Sequence, residues 1–213
     1  IQGSPSGASW GVYGVQFSGG DFNLNNNIIE DNNITLNGST SWLTAISFSG
    51  ASSGEVSNNV IRNNLIMETG SRDYGIFLGL LYGNALNNTI ESNKFYGNGY
   101  GHCLGVSLSS GSNPPKGIFS TTISSNIISC NASYATSIEG IVLQSGPSNY
   151  LNSTTVFNNT VTAYLPGVTT FGNIVGIVVD PGVSGGTNIT NNTINSTVSD
   201  IYVRDSGNNI IHD

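Results

Sequence analysis

Positive charge is what this chain has least of: five Lys plus Arg in 213 residues, against 12 Asp plus Glu, for a net charge of −7. Without a basic patch, no nucleic-acid partner is expected. Charged residues make up only 8% of the chain, where an ordinary cytosolic domain carries about a quarter. No stretch approaches the roughly 18 consecutive apolar residues that span a bilayer, so no membrane span is expected. No signal peptide remains, which reads as a mature or excised segment. His102 stands beside Cys103 and His212 lies at the chain end; a lone His next to one Cys falls short of a metal site. There is no Ser-His-Asp order, Gly-rich phosphate loop or metal-ligand cluster, and no cofactor is implied. No linker or composition shift divides residues 1–213, which read as a single domain with an irregular segment over 1–11.

What is abundant is Asn (30), Ser (30), Gly (28) and Thr (18), and the asparagines are ordered. Asn32, Asn64, Asn93, Asn126, Asn159 and Asn192 each follow an aliphatic residue by three positions (Ile29, Ile61, Ile90, Ile123, Val156, Ile189). Each precedes a second large apolar residue by two (Ile34, Ile66, Phe95, Ile128, Val161, Ile194). The frame recurs every 29 to 33 residues, an internal repeat of the length of one solenoid coil. A second row keeps the same period: Gly14–Phe17, Ala45–Phe48, Gly75–Leu78, Gly105–Leu108, Gly140–Leu143, Gly176–Val179 and Asp200–Val203. In all seven the second and fourth positions are apolar, the alternation of a strand with one buried face.

The five-residue step between the two apolar positions that flank each Asn is odd, so a continuous strand would put them on opposite faces, and a bend must separate them. Asn suits that bend because it tolerates the left-handed region and its amide can bond backbone groups left unpaired at a corner. Stacked at about 4.8 Å, such amides form a ladder. Each coil then reads as strand, loop, strand, Asn corner, strand, loop, with three strands stacked in parallel.

Gly-Ile-x-Leu followed by Asn-Asn-x-Ile-x-x-Asn-x-Ile resembles the repeats of the pectate-lyase-like superfamily, most closely the Asn-rich NosD-like or CASH-type repeats, over about residues 12–213. The resemblance implies an all-β fold, a right-handed single-stranded parallel β-helix (β-solenoid) of about seven coils of ~30 residues. It implies little about activity, since the superfamily holds polysaccharide lyases, glycoside hydrolases, adhesins, tailspikes and surface-layer components. Its enzymes project carboxylates, and in lyases a basic residue and calcium ligands, from the first strand row. Here the matching outward positions are Gln16, Ser47, Phe77, Ser107, Val142, Val178 and Tyr202, with no titratable group suited to that work.

Other candidates carry two readings each. Nine glycosylation sequons begin at Asn33, Asn37, Asn87, Asn131, Asn152, Asn158, Asn188, Asn191 and Asn195, a number close to chance for this composition, but none has a corner asparagine as its acceptor. Cys103 and Cys130 suggest one disulfide tying the loop after the third coil to the loop after the fourth, or else two buried thiols. Glu30, Arg62 and Glu91 share one column, read as an ion-pair ladder before a catalytic pair. Asp180 shares a column with Arg204, near Asp200 and Asp205, read as cross-coil pairing before a calcium or substrate site. Phe77, Val142, Val178 and Tyr202 form an apolar outward stripe, either a contact surface or a surface covered by the long loops 113–120 and 163–173. Ile1 to Trp10 shows no amphipathic cap and the last coil stops at Asn209-Ile210-Ile211, so the chain is either a piece of a longer one or pairs with neighbours. Taken together, the expected protein is an extracellular structural β-solenoid of a surface layer, filament or appendage, self-associating or flanked by further domains. The alternatives are a carbohydrate-active enzyme and a carbohydrate-binding adhesin module acting on polysaccharide or glycan.

Overall fold

The computed structural model describes residues 2–3, 11–18, 23–50, 54–80, 84–110, 117–132, 137–145, 150–166, 173–180, 186–203 and 210–212. Every regular element among them is a β-strand, and every strand pairing is parallel. The chain is a β-solenoid. The repeat frame read from the sequence is the pairing register itself: Ile29, Ile61, Ile90, Ile123, Val156 and Ile189 sit opposite one another in turn. So do Ile34, Ile66, Phe95, Ile128, Val161 and Ile194. These side chains point inward because their faces alternate with polar ones along short strands, and together they form one continuous core.

A complete coil carries four strands, not three. A first row holds Val12–Ser18, the second half of Asn33–Gly50, the second half of Leu65–Leu80, His102–Ser110, Ser137–Ser145, Asn173–Val179 and Ser199–Val203. A short second row follows: Leu24–Asn25, Glu55–Ser57, Asn84–Leu86, Gly117–Phe119 and Tyr150–Asn152. The third row runs Ile28–Glu30, Val60–Arg62, Thr89–Glu91, Thr122–Ser124, Thr155–Phe157, Asn188–Thr190 and Ile210–His212. The fourth row contains Lys94–Gly99, Ile127–Ala132, Thr160–Tyr164, Thr193–Ser196, and the first halves of the two long strands, which run on into the first row of the next coil. The third row is seven strands deep and the second only five. Seven equal coils are therefore not what forms: among the described residues, five carry all four strands and the last two lack a second-row strand.

The corners also differ from expectation. The left-handed residue is not the ladder asparagine but the one before it: Asp31, Asn63, Ser92, Ser125, Asn158 and Asn191, at φ of 54° to 57°. The asparagine that follows keeps ordinary backbone and spends its amide on hydrogen bonds. Its backbone N–H and Nδ2 both donate to the Oδ1 of the asparagine one coil on, at 2.9–3.1 Å from Asn32 through to Asn192. Four members of the ladder are buried, whereas Asn32 and Asn192 at its two ends are half-buried, so the expected burial of all six holds only for the middle four.

A second corner, unseen in the sequence, precedes the third row. Asn26, Asn58, Asn87, Ser120 and Ser153 are left-handed there. Asn27, Asn59 and Asn88 form a shorter ladder, whose column continues as buried Thr121, Thr154 and Thr187. Close stacking also fixes the glycine that starts five of the seven first-row motifs, Ala45 and Asp200 standing in the other two. A Cβ at Gly140 would stand 2.6 Å from the Gly176 carbonyl oxygen and clash with the Val161 side chain, so at that position the absent side chain lets the first row approach the fourth across the core.

Candidate functional site

On the outer face of the first row, upstream of the repeat motif, five aromatic rings gather. Trp42 and Arg72 are register partners, as are Arg72 and His102, and Thr44 and Tyr74. Parallel stacking thus lays Trp42, Arg72 and His102 in one column and Tyr13, Thr44, Tyr74 in the next. The Arg72 guanidinium lies 4.4 Å from the centre of the Trp42 ring, a cation–π contact. Tyr74 stacks on Trp42 at 6.0 Å and meets Phe77 and His102 edge-on. Its hydroxyl is 3.2 Å from His102 Nδ1. Burial, reinforced by the Arg72 charge, holds the His102 pKa down, so the ring is neutral near pH 7, and which group donates across this contact follows the imidazole tautomer. Burial likewise raises the Tyr74 pKa, against the pull of Arg72.

Tyr13, Trp42, Thr44, Ser47, Ser49, Tyr74 and Phe77 enclose a concavity of about 220 Å³. Its walls are aromatic and its floor is hydroxyl. Tyr13 and Trp42 remain 45% and 51% exposed, which makes them platforms rather than core. Among the described residues no carboxylate lines it. A single outward position per coil in the repeat motif does not reach Trp42, Arg72 and Tyr74, and His102, weighed in the sequence only as a metal ligand beside Cys103, stands here as the partner of Tyr74. The signal that could have found them is parity: Arg72 and Tyr74 flank Asp73 two apart, on one face of one strand.

The four stripe residues fall into different environments. They are indeed in register with one another through Ser107. Tyr202 is exposed and Phe77 half-buried at the concavity, but Val142 and Val178 are 5% and 4% exposed, packed with Leu104, Val175 and Tyr74 in a small outer cluster. The two valines therefore offer no free surface.

Of the charged column, Arg62 bonds Glu30 at 2.6 Å. Glu91 is in register with Arg62 but outside ion-pair distance, acting on it only through space. These side chains are exposed, an ordinary solvated pair. Asp200 Oδ1 accepts from the Ser196 amide at 3.2 Å, Asp180 follows the end of Asn173–Val179, and Arg204 and Asp205 lie outside the described residues. Among the described residues no three His, Cys, Asp or Glu come together to hold a metal ion. Of the loops expected to cover the stripe, 113–116 and 167–172 lie outside the described residues.

Cys103 and Cys130 are joined in a disulfide, with Cα atoms 5.7 Å apart. The bond links strands rather than loops: Cys103 belongs to the first row and Cys130 to the fourth row of the same coil, the fourth, so it staples the coil shut across the core. All nine sequon acceptors are exposed, and no ladder asparagine is an acceptor, although Asn88, Asn159 and Asn192 are the middle residues of the sequons that begin at Asn87, Asn158 and Asn191.

Two side chains that the sequence reading did not single out stand inside the solenoid. Glu68 and Asp73 are 2% and 0% exposed, and none of their four carboxyl oxygens has a hydrogen-bond partner. Burial, and then the neighbouring Asp73, push Glu68 well above the carboxylate range. Burial raises Asp73 from 3.8 to about 7.

No family model matches the chain, and neither does any curated protein or solved structure. Among the described residues no helix is long and apolar enough to cross a membrane.

Proposed function

We propose that this chain is an extracellular structural β-solenoid of a cell surface, a subunit or segment of a surface layer, filament or appendage built from Asn-rich NosD-like or CASH-type coils. The observation that carries this reading is the division of the asparagines. Those of both ladders point inward and none is the acceptor of a sequon, while all nine acceptor asparagines are exposed, so glycans could coat the surface without sitting on the amides that hold the corners. The closed disulfide fits an oxidising compartment. Core residues of the first and last coils, such as Val15 and Phe17 or Ile201 and Val203, are only partly buried, which leaves apolar area for a neighbouring coil of the same chain or of another copy. Electron microscopy of the native material, with glycopeptide mass spectrometry, tests it. Repeating solenoid density and occupied sequons are expected; a dispersed, unglycosylated protein overturns it.

A second reading, a carbohydrate-binding module, draws on the aromatic concavity. Sugar rings stack their C–H faces on aromatic planes, and a volume of about 220 Å³ suits one sugar ring with Thr44, Ser47 and Ser49 hydroxyls beneath it. Trp42→Ala should then abolish retention on a polysaccharide column without changing the melting temperature. Equal retention of the variant and the parent removes this reading. The enzyme alternative is weaker, because the described lining of the concavity offers hydroxyls and aromatic rings but no carboxylate.

A further inference from the structure

Glu68 and Asp73 occupy matching places on either side of the bend that joins the second coil to the third, within the single strand Leu65–Leu80. In the preceding coil the same places hold Leu36 and Leu43, and in the following one Gly97 and Cys103. An acid pair has thus replaced an apolar pair in an otherwise apolar stack. We propose that Glu68 and Asp73 form an acid-held lock: as neutral acids they let this junction close, and their ionisation as pH rises through neutrality loosens it.

Among the described residues, the strands packed against them offer no charge to neutralise them. Asn33–Gly50 and Asn84–Leu86 contain no ionisable side chain. Lys94 and Tyr96 of Lys94–Gly99 are exposed on its outer face. From His102–Ser110, Cys103 is consumed by the disulfide and His102 faces outward to Tyr74. On their own strand, Arg72 is taken up on the outer surface by Trp42 and Tyr74 by His102. The amides of Ala45 and Tyr74 favour the ionised Glu68, and those of Asn98 and Gly70 the ionised Asp73, yet none makes a well-formed hydrogen bond. A carboxylate buried without a partner is far costlier than a buried neutral acid. In the unfolded chain both groups titrate at ordinary values. Between 3.8 and about 7 the folded state therefore holds the extra proton of Asp73, and stability falls as pH rises across that window. The loss is complete above pH 7 and absent below 3.8.

The test is denaturant unfolding of the full chain across this range. For the parent, the folding equilibrium should drop about tenfold per pH unit for that one proton, and Asp73→Asn should remove that component of the slope. Infrared spectroscopy of the folded parent at about pH 6 should show a protonated carboxyl band that Asp73→Asn weakens. The same pH slope in parent and variant overturns the lock, as does a parent with no such band, a measurement that decides the matter even if the variant does not fold. A third arm adds calcium at about pH 8: if calcium restores the parent but not the variant, the pair is a cation site and the proton lock is wrong.

Discussion

A ladder asparagine does three jobs with one amide. In Asn126, Nδ2 donates to the Ile90 carbonyl at 2.9 Å and to Asn159 Oδ1 at 3.0 Å, while Oδ1 accepts from Asn93. The site is buried, so removing the amide strands both a carbonyl and a donor away from water. Asn126→Ala should cost about 1–3 kcal/mol in denaturant unfolding. Asn192→Ala, at a half-buried end, should cost less. These positions were legible in the sequence because each is bracketed by two inward apolar residues at fixed spacing. The second corner was not, since its asparagines give way to threonine after Asn88 and the column stops looking like one residue type. Glu68 was passed over for the opposite reason: a charged residue reads as surface, although its place two residues after Ile66 puts it on the inward parity.

At the scale of the strand, short third-row segments leave little room for specificity outside their central inward residue, and what stands on their outer face is expected to matter little. Glu30→Gln combined with Glu91→Gln should leave the melting temperature within experimental error, because the Arg62 pair is solvent-exposed and such pairs are weak. A marked fall in melting temperature would show that the column carries more than a solvated contact. The first-row strands are the contrary case. Their repeat motif was easy to read, but the functional candidates stand just upstream, where the register shifts between Gly38 and Trp42. An irregularity of that kind breaks the period on which sequence reading depends, and Trp42, Arg72 and His102 come together only through stacking.

Across the whole molecule, stability is divided between coils that contact only their neighbours, which makes local closure important. The Cys103–Cys130 bond closes one coil, spanning 27 residues. On the loop-entropy estimate, its reduction should lower stability by about 3–4 kcal/mol, read as a fall in unfolding midpoint with reductant. An unchanged midpoint would mean that the neighbouring coils alone hold the fourth in place.

The ladder has one more consequence, and it concerns direction. Backbone bonds between parallel strands point alternately both ways and their dipoles largely cancel. The asparagine amides do not alternate: from Asn32 to Asn159 each Nδ2 donates to the side-chain oxygen one coil later, while from Asn64 on a second bond returns to a backbone carbonyl one coil earlier. Aligned head to tail, they polarise one another and sum as peptide dipoles do in a helix. The rod is therefore electrically vectorial, positive toward its later coils. A coil docking on the later side meets amide hydrogens and one docking on the earlier side meets oxygens, so only a coil running in the same sense can extend it.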